Sequence, residues 1–169
     1  NADIILNFPD FRAGEKTYQL LTQASGRSGR EKKEGEVLIQ TYDPDNDAIK
    51  KTISDNYEGY YENEMEIRKI LKYPPYGRII NIVISSETET GLKEKAEKFY
   101  NMIKEKNSFI PKPFKAPIYR INNRYRYQIF IKSDRISINN IKQRIRSSMV
   151  NYREKDVRIS VDVDPVNLL

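Results

Sequence analysis

At 169 residues the chain has room for one ordinary domain, or for one small domain and a piece of another. It has no Cys, His or Trp, which excludes thiol nucleophiles, imidazole bases and nearly every transition-metal site, and no stretch approaches the ~18 apolar residues of a membrane span. The net charge of +6 is regional: residues 112–158 hold 13 Lys and Arg against three acids (Asp134, Glu154, Asp156), leaving 17 bases and 21 acids elsewhere, so an anionic partner is expected for the C-terminal half.

Residues 2–7, with Ile4, Ile5 and Leu6, read as a buried strand, 13–23 as a helix, and 36–42 as a second strand after the charged loop 31–35. A chain that opens on Asn and runs straight into a strand reads as a fragment cut from something longer. Strand, helix, strand is one βαβ unit, which needs parallel neighbours and helices on both faces. Residues 1–44 are therefore expected to end a larger α/β lobe, with an exposed apolar edge that is marginally stable or paired with another copy.

Gln23-Ala24-Ser25-Gly26-Arg27-Ser28-Gly29-Arg30 follows the expected helix as a glycine-rich turn. Arg27 and Arg30, three residues apart, can face one small anion, most simply a phosphate, because the guanidinium is a permanently charged fork that binds oxygens bidentately. Gly26 and Gly29 let the backbone bend there, and Gln23 adds an uncharged donor or acceptor. A solvated helix end accounts for the same eight residues equally simply.

Residues 45–76 read as a helical connector. Ile49, Ile53, Tyr57, Tyr60, Ile67 and Leu71 mark one face of a long helix, or of two short ones hinged near Gly59. Glu58, Glu62, Glu64 and Glu66 do not converge and read as a solvated face, not as a metal site. Tyr73-Pro74-Pro75-Tyr76-Gly77 then breaks the helix and marks a domain boundary.

Residues 77–169 alternate regularly. Strands are expected at 78–85, 118–121, 125–132 and 157–163, with a hairpin at Asn122-Asn123; helical stripes are Leu92, Ala96, Phe99, Ile103 and Ile138, Ile141, Ile145, Met149. The order βαββαβ suits a ferredoxin-like sandwich, an antiparallel sheet with two helices on one face and the other face open. Period two places Tyr125, Tyr127, Ile129 and Ile131 on the core side and Arg126, Gln128, Phe130 and Lys132 on the open side; in the last strand Arg158, Ser160 and Asp162 lie opposite the valines. Arg120 and Arg124 flank the hairpin, and Lys142, Arg144 and Arg146 ride the second helix.

Three readings of this basic half stay open: contact with nucleic-acid phosphates through Arg120, Arg124, Arg126, Lys132 and Arg144; docking of an acidic peptide; or ordinary solvated charge. Asp162 and Asp164 have no base, nucleophile or metal beside them in the sequence pattern, so a paired-carboxylate site is not expected, nor is any metal site.

The approach Pro9-Asp10-Phe11-Arg12-Ala13-Gly14-Glu15-Lys16, the octet, the Tyr-Pro-Pro step, the Arg-aromatic stretch 119–128 and the ending 161–169 together resemble the primosomal protein N′ (PriA) family of replication-restart DNA helicases over nearly the whole chain. The resemblance implies that residues 1–44 end a RecA-like helicase lobe two, that the octet is its motif VI, and that Arg27 and Arg30 are arginine fingers for ATP, with Gln23 a nucleotide sensor. It also implies an ATP- and Mg²⁺-dependent 3′-to-5′ helicase as the parent, zinc held in an insertion upstream of Asn1, and a cytoplasmic location. The implied partners are forked DNA, the acidic tail of single-stranded DNA-binding protein, and other primosome proteins. With no nucleotide-cradling Gly-Lys-Thr loop and no acidic Mg²⁺ box in the sequence, this chain alone is expected to hydrolyse no ATP. The alternative is a non-enzymatic adaptor that binds nucleic acid or the acidic tail and keeps the octet as scaffold.

Overall fold

The computed structural model describes residues 2–28, 36–105, 110–166 and 168. The chain forms two units, Asn1–Ile67 and Arg68–Leu169.

The described part of the first unit is helical: α1 (Asp3–Leu6), α2 (Ala13–Ser28), α3 (Asp47–Ile53) and α4 (Tyr57–Ile70), the last continuing past Ile67. Neither strand expected here forms: residues 2–7 hold α1, and 36–42 take no regular secondary structure. A run as short as Ile4, Ile5 and Leu6 fits either period, and without parallel neighbours only a helical turn satisfies its backbone internally; the Asn7 N–H donates to Asp3 O at 2.9 Å. That segment bonds back to the start of the chain instead. Ala2 N–H donates to Gln40 O (3.1 Å), and the Asp3 carboxylate accepts from Thr41 Oγ1 (2.7 Å) and the Tyr42 N–H (3.1 Å).

Asp10 fixes the entry to α2. Its buried carboxylate accepts from the Arg12 backbone N–H and Nε (both 3.0 Å), from Arg12 Nη2 (3.2 Å) and from Lys16 Nζ (3.0 Å). Burial pushes this carboxyl up, but the Arg12 and Lys16 hydrogen bonds outweigh it and hold the group below its ordinary value. Tyr18 of α2 then stacks on Tyr60 of α4, with centroids 4.6 Å apart and planes 8° from parallel, in a cluster with the buried Ala48 of α3.

The break between α3 and α4 falls at residues 54–56, upstream of the expected hinge at Gly59. Asp55 takes φ 49°, and the Asn56 side chain accepts the Gly59 N–H at 2.9 Å, capping α4. That break resets the helical phase, and α4 outruns the small aromatic cluster. Of the expected stripe, Ile49 and Tyr60 are buried, while Ile53, Tyr57, Ile67 and Leu71 are exposed.

In the second unit the Pro74–Pro75 bond is cis, and Gly77 packs where an added Cβ would lie 2.2 Å from Lys72 O. The alternating runs become β1 (Arg78–Ser86), β2 (Phe114–Ile121), β3 (Arg124–Ser133) and β4 (Val157–Val163); α5 (Leu92–Ile103) follows β1, and α6 (Ser137–Asn151) follows β3. The order is the expected βαββαβ, and the sheet runs β2-β3-β1-β4 with every pair antiparallel. Ile80, Ile82 and Ile84 of β1, with Tyr127, Ile129 and Ile131 of β3, face Leu92, Ala96, Phe99 and Ile103 of α5 and Ile138, Ile141 and Ile145 of α6. Phe99 meets Tyr152 edge-on at 5.4 Å. The fourth buried position of α6 is Ser148, which lies toward α5 with its Oγ donating to Met102 O at 3.3 Å, and the expected Met149 is 39% exposed. Asn122 (φ 50°) and Asn123 (φ 61°) close the hairpin as a two-residue turn of the I′ kind.

The face away from the helices is not fully open, as the alternation alone implied. Asp164 turns the chain at φ 52°, accepts the Ile79 N–H (3.1 Å) and Arg78 Nε (2.5 Å), and leads the tail back across the sheet. Leu168 O accepts from Gln128 Nε2 (3.3 Å), which also donates to Asn81 Oδ1 (2.6 Å); Asn81 and Gln128 are buried in consequence. Burial pushes the Asp164 carboxyl up, but Arg78 and the Ile79 N–H more than offset it and lower its pKa.

Candidate nucleic-acid interface

The strand register reads out as rows across the sheet. Side chains of paired residues point the same way, so Arg126 of β3 and Arg158 of β4 both flank Ser85 of β1 on the face away from the helices. The next row is Gln128, Val83 and Ser160, where the tail begins to cover the sheet. Beyond the tail, the end of the face toward the hairpin holds a cleft of about 340 Å³ lined by Ser85, Asn122, Arg124, Arg126, Arg158 and Ser160.

The three arginines of this cleft are held differently. Arg124 is a structural tie: Nη1 donates to Glu87 Oε1 (3.0 Å), Nη2 to Ser85 O (3.0 Å) and Asp156 O (3.4 Å), and Nε to Ser85 Oγ (3.3 Å). Arg126 is half-buried, which lowers its pKa, and donates only a long 3.5 Å bond to Ile118 O among the described residues. Arg158 is exposed and makes no side-chain hydrogen bond or ion pair with a described residue.

The other residues expected to bind DNA do not join them. Arg120 pairs with Tyr125 and so projects to the helix side, where its guanidinium lies 4.9 Å from the Tyr125 ring centroid and bonds Asn123 Oδ1. Lys115 sits likewise over Tyr119 at 4.4 Å, and the Tyr119 hydroxyl donates to Glu89 Oε1 at 3.0 Å; burial and that carboxylate push its pKa up to about 12. Lys132 is on the same face as Arg126 but three rows away, its ammonium 4.6 Å from the Tyr73 ring centroid. Arg144 is on α6, ion-paired with Glu105. The five residues therefore divide between two faces, and Arg158, which alternation alone puts on the favoured face, gains its importance only from the register that sets it opposite Arg126.

In the first unit the octet's first six residues, 23–28, are not a turn after a helix ending at residue 23. The helix α2 runs on through Ser28, since Gly26 costs it only about 1 kcal/mol and Ser25 Oγ bonds back to Leu21 O at 2.9 Å. Gln23 and Arg27 are both exposed, one helical turn apart and so on one face; Arg30 lies outside the described residues. Among the described residues no group of three or more His, Cys, Asp or Glu side chains could hold a metal ion.

A family model described as the primosomal protein N C-terminal domain matches residues 69–166. Across its whole length the chain is 38% identical to the replication restart protein PriA of Bacillus subtilis (strain 168) and 34% identical to that of Borreliella burgdorferi, and covers 22% and 26% of those proteins. Over 99% of its length it is 34% identical to PriA of Synechocystis, of which it covers 20%. The chain thus spans about a fifth to a quarter of the length of these curated relatives.

Proposed function

Because the chain belongs to the PriA family of replication restart proteins, we propose that its second unit grips branched DNA at forks for a parent that is an ATP-dependent 3′-to-5′ helicase. The observation that carries this reading is the free end of the sheet face, where Arg126 and Arg158 line one cleft without an acidic partner among the described residues. A surface of that kind binds phosphate oxygens with little sequence preference. Residues 1–44 would complete a RecA-like lobe two, residues 45–76 would connect it to the 77–169 domain, and Gln23, Arg27 and Arg30 would serve ATP and Mg²⁺ held by the rest of a cytoplasmic parent. When bound, ATP supplies the phosphoryl group whose developing charge such arginines stabilise. Zinc would belong to the parent's upstream insertion, and other primosome proteins would join the assembly.

The test is a salt titration of the chain's affinity for a labelled forked duplex. Phosphate contact makes the affinity fall steeply and log-linearly with salt. Absence of binding at low salt would refute the reading and favour an adaptor for the acidic tail of single-stranded DNA-binding protein.

A further inference from the structure

Cross-strand neighbours in a sheet usually alternate or oppose charge, because like charges placed in one row repel. The row Arg126–Ser85–Arg158 departs from this. It sets two guanidiniums on either side of a serine, on three adjacent strands, with no carboxylate in the row. The row before it shows the contrast, for there Arg124 is neutralised by Glu87. Serine in the middle is small beside the two flanking side chains, and Ser85, Ser160 and both arginines line the cleft there. Arg126 is moreover half-buried and makes one long hydrogen bond among the described residues, so burial disfavours its charge with little offset from them. Two cations lining one cleft can each offer donors to separate oxygens of one tetrahedral oxyanion.

We propose that Arg126 and Arg158 share a single backbone phosphate of the nucleic acid, seated over Ser85 and assisted by Ser160, and that Arg124 holds the cleft's shape without contacting the phosphate. The site follows from the reading that this unit binds DNA and gives that reading one defined contact. It also sets a direction. The tail that bonds Gln128 through Leu168 O closes the face one row further on, so the strand must run along the Arg124–Arg126 end and not down the length of β3.

A shared phosphate has a signature that two separate contacts lack. Removing one phosphate contact lowers the salt slope, d log K/d log [salt], by about 1. Because either arginine alone still contacts the shared phosphate, Arg126→Ala and Arg158→Ala should each lower it by less than 1, and the double variant by about 1 in all. A double variant whose slope falls by about 2 would overturn the shared site, and slopes unchanged in all three would overturn it while leaving DNA binding by the unit intact. Failure of the unaltered chain to bind forked DNA at low salt would instead remove the reading on which the site rests.

A second measurement guards against folding defects and does not need DNA. Titrating the chain with inorganic phosphate at fixed ionic strength should shift the Arg126 and Arg158 Nε–H and Ser160 amide resonances, and Arg158→Gln, a change at an exposed position, should abolish the shifts at Arg126. Shifts at Arg126 that survive Arg158→Gln would overturn the shared site. So would binding of an oligoglutamate peptide that depends on Arg158 while DNA binding does not.

Discussion

The second unit closes a core from its own residues, whereas the first is held by a few specific contacts. Nine side chains of the second unit are 0% exposed, from Ile80 in β1 to Ile131 in β3; among the described residues of the first unit none is, and Leu38 and Tyr42 stand almost wholly in water. Layers of sheet and helix give the second unit many interchangeable apolar contacts, so its surface rows are positioned by the register of a rigid sheet. The first unit depends on the Asp10 ion cluster and the Tyr18–Tyr60 stack, which are few and partly electrostatic. A small core and a polar clasp should respond to different perturbations.

The largest effect is expected from Phe99→Ala. This ring projects from α5 into the core, fully buried and edge-on to Tyr152, and truncation should cost about 3–5 kcal/mol through reduced burial and the cavity left behind. Hydrogen exchange resolved along the chain should quicken across β1 to β4 and stay unchanged in α2 and α3. Equal acceleration in both units would show that they fold as one.

Asp10→Asn addresses the other unit, with a smaller expected loss of about 2 kcal/mol at pH 7. A broken buried ion pair can cost more, but Arg12 and Lys16 side chains are 21% and 38% exposed and regain water. The pH dependence has a fixed sign. The folded-state pKa of Asp10 is lowered, so its contribution is fully present above the unfolded carboxylate value, roughly 4, and is lost as pH falls through the folded value. Urea melts followed by tyrosine absorption should show the difference between the parent chain and Asp10→Asn shrinking as the pH is lowered below 4. A difference independent of pH would mean that Asp10 acts through packing alone.

The same contrast governs what could be read from the sequence. The βαββαβ order was legible because each strand and helix carries its period within its own residues, and the core that rewards the period lies in the same chain. The pattern Ile4-Ile5-Leu6 carries no period, and the parallel neighbours that would make it a strand are not among the residues present, so α1 was misread. Alternation put Arg126 and Arg158 on one face, yet only the register through Ser85 sets them in one row, and only the fold shows that Glu87 neutralises Arg124. The tail over Gln128 was out of reach for a related reason: Asp164 and Leu168 act on residues some eighty and forty positions away in sequence.

The smallest effect should come from the hairpin that borders the cleft. Asn122 and Asn123 both take positive φ, a conformation that asparagine tolerates and alanine does not, and Asn123 Oδ1 also accepts from Arg120. Asn123→Ala should therefore cost about 1 kcal/mol in the urea stability of the second unit and leave the first unit's transition where it was. The salt slope of DNA binding sharpens the comparison further. Arg120, released from Asn123, lies on the helix side of the sheet, while Arg126 and Arg158 are fixed by strands that continue through β1. If the phosphate contact resides in that row, the slope should be unchanged in Asn123→Ala despite the reduced stability, and a fall of about 1 would instead assign a contact to Arg120.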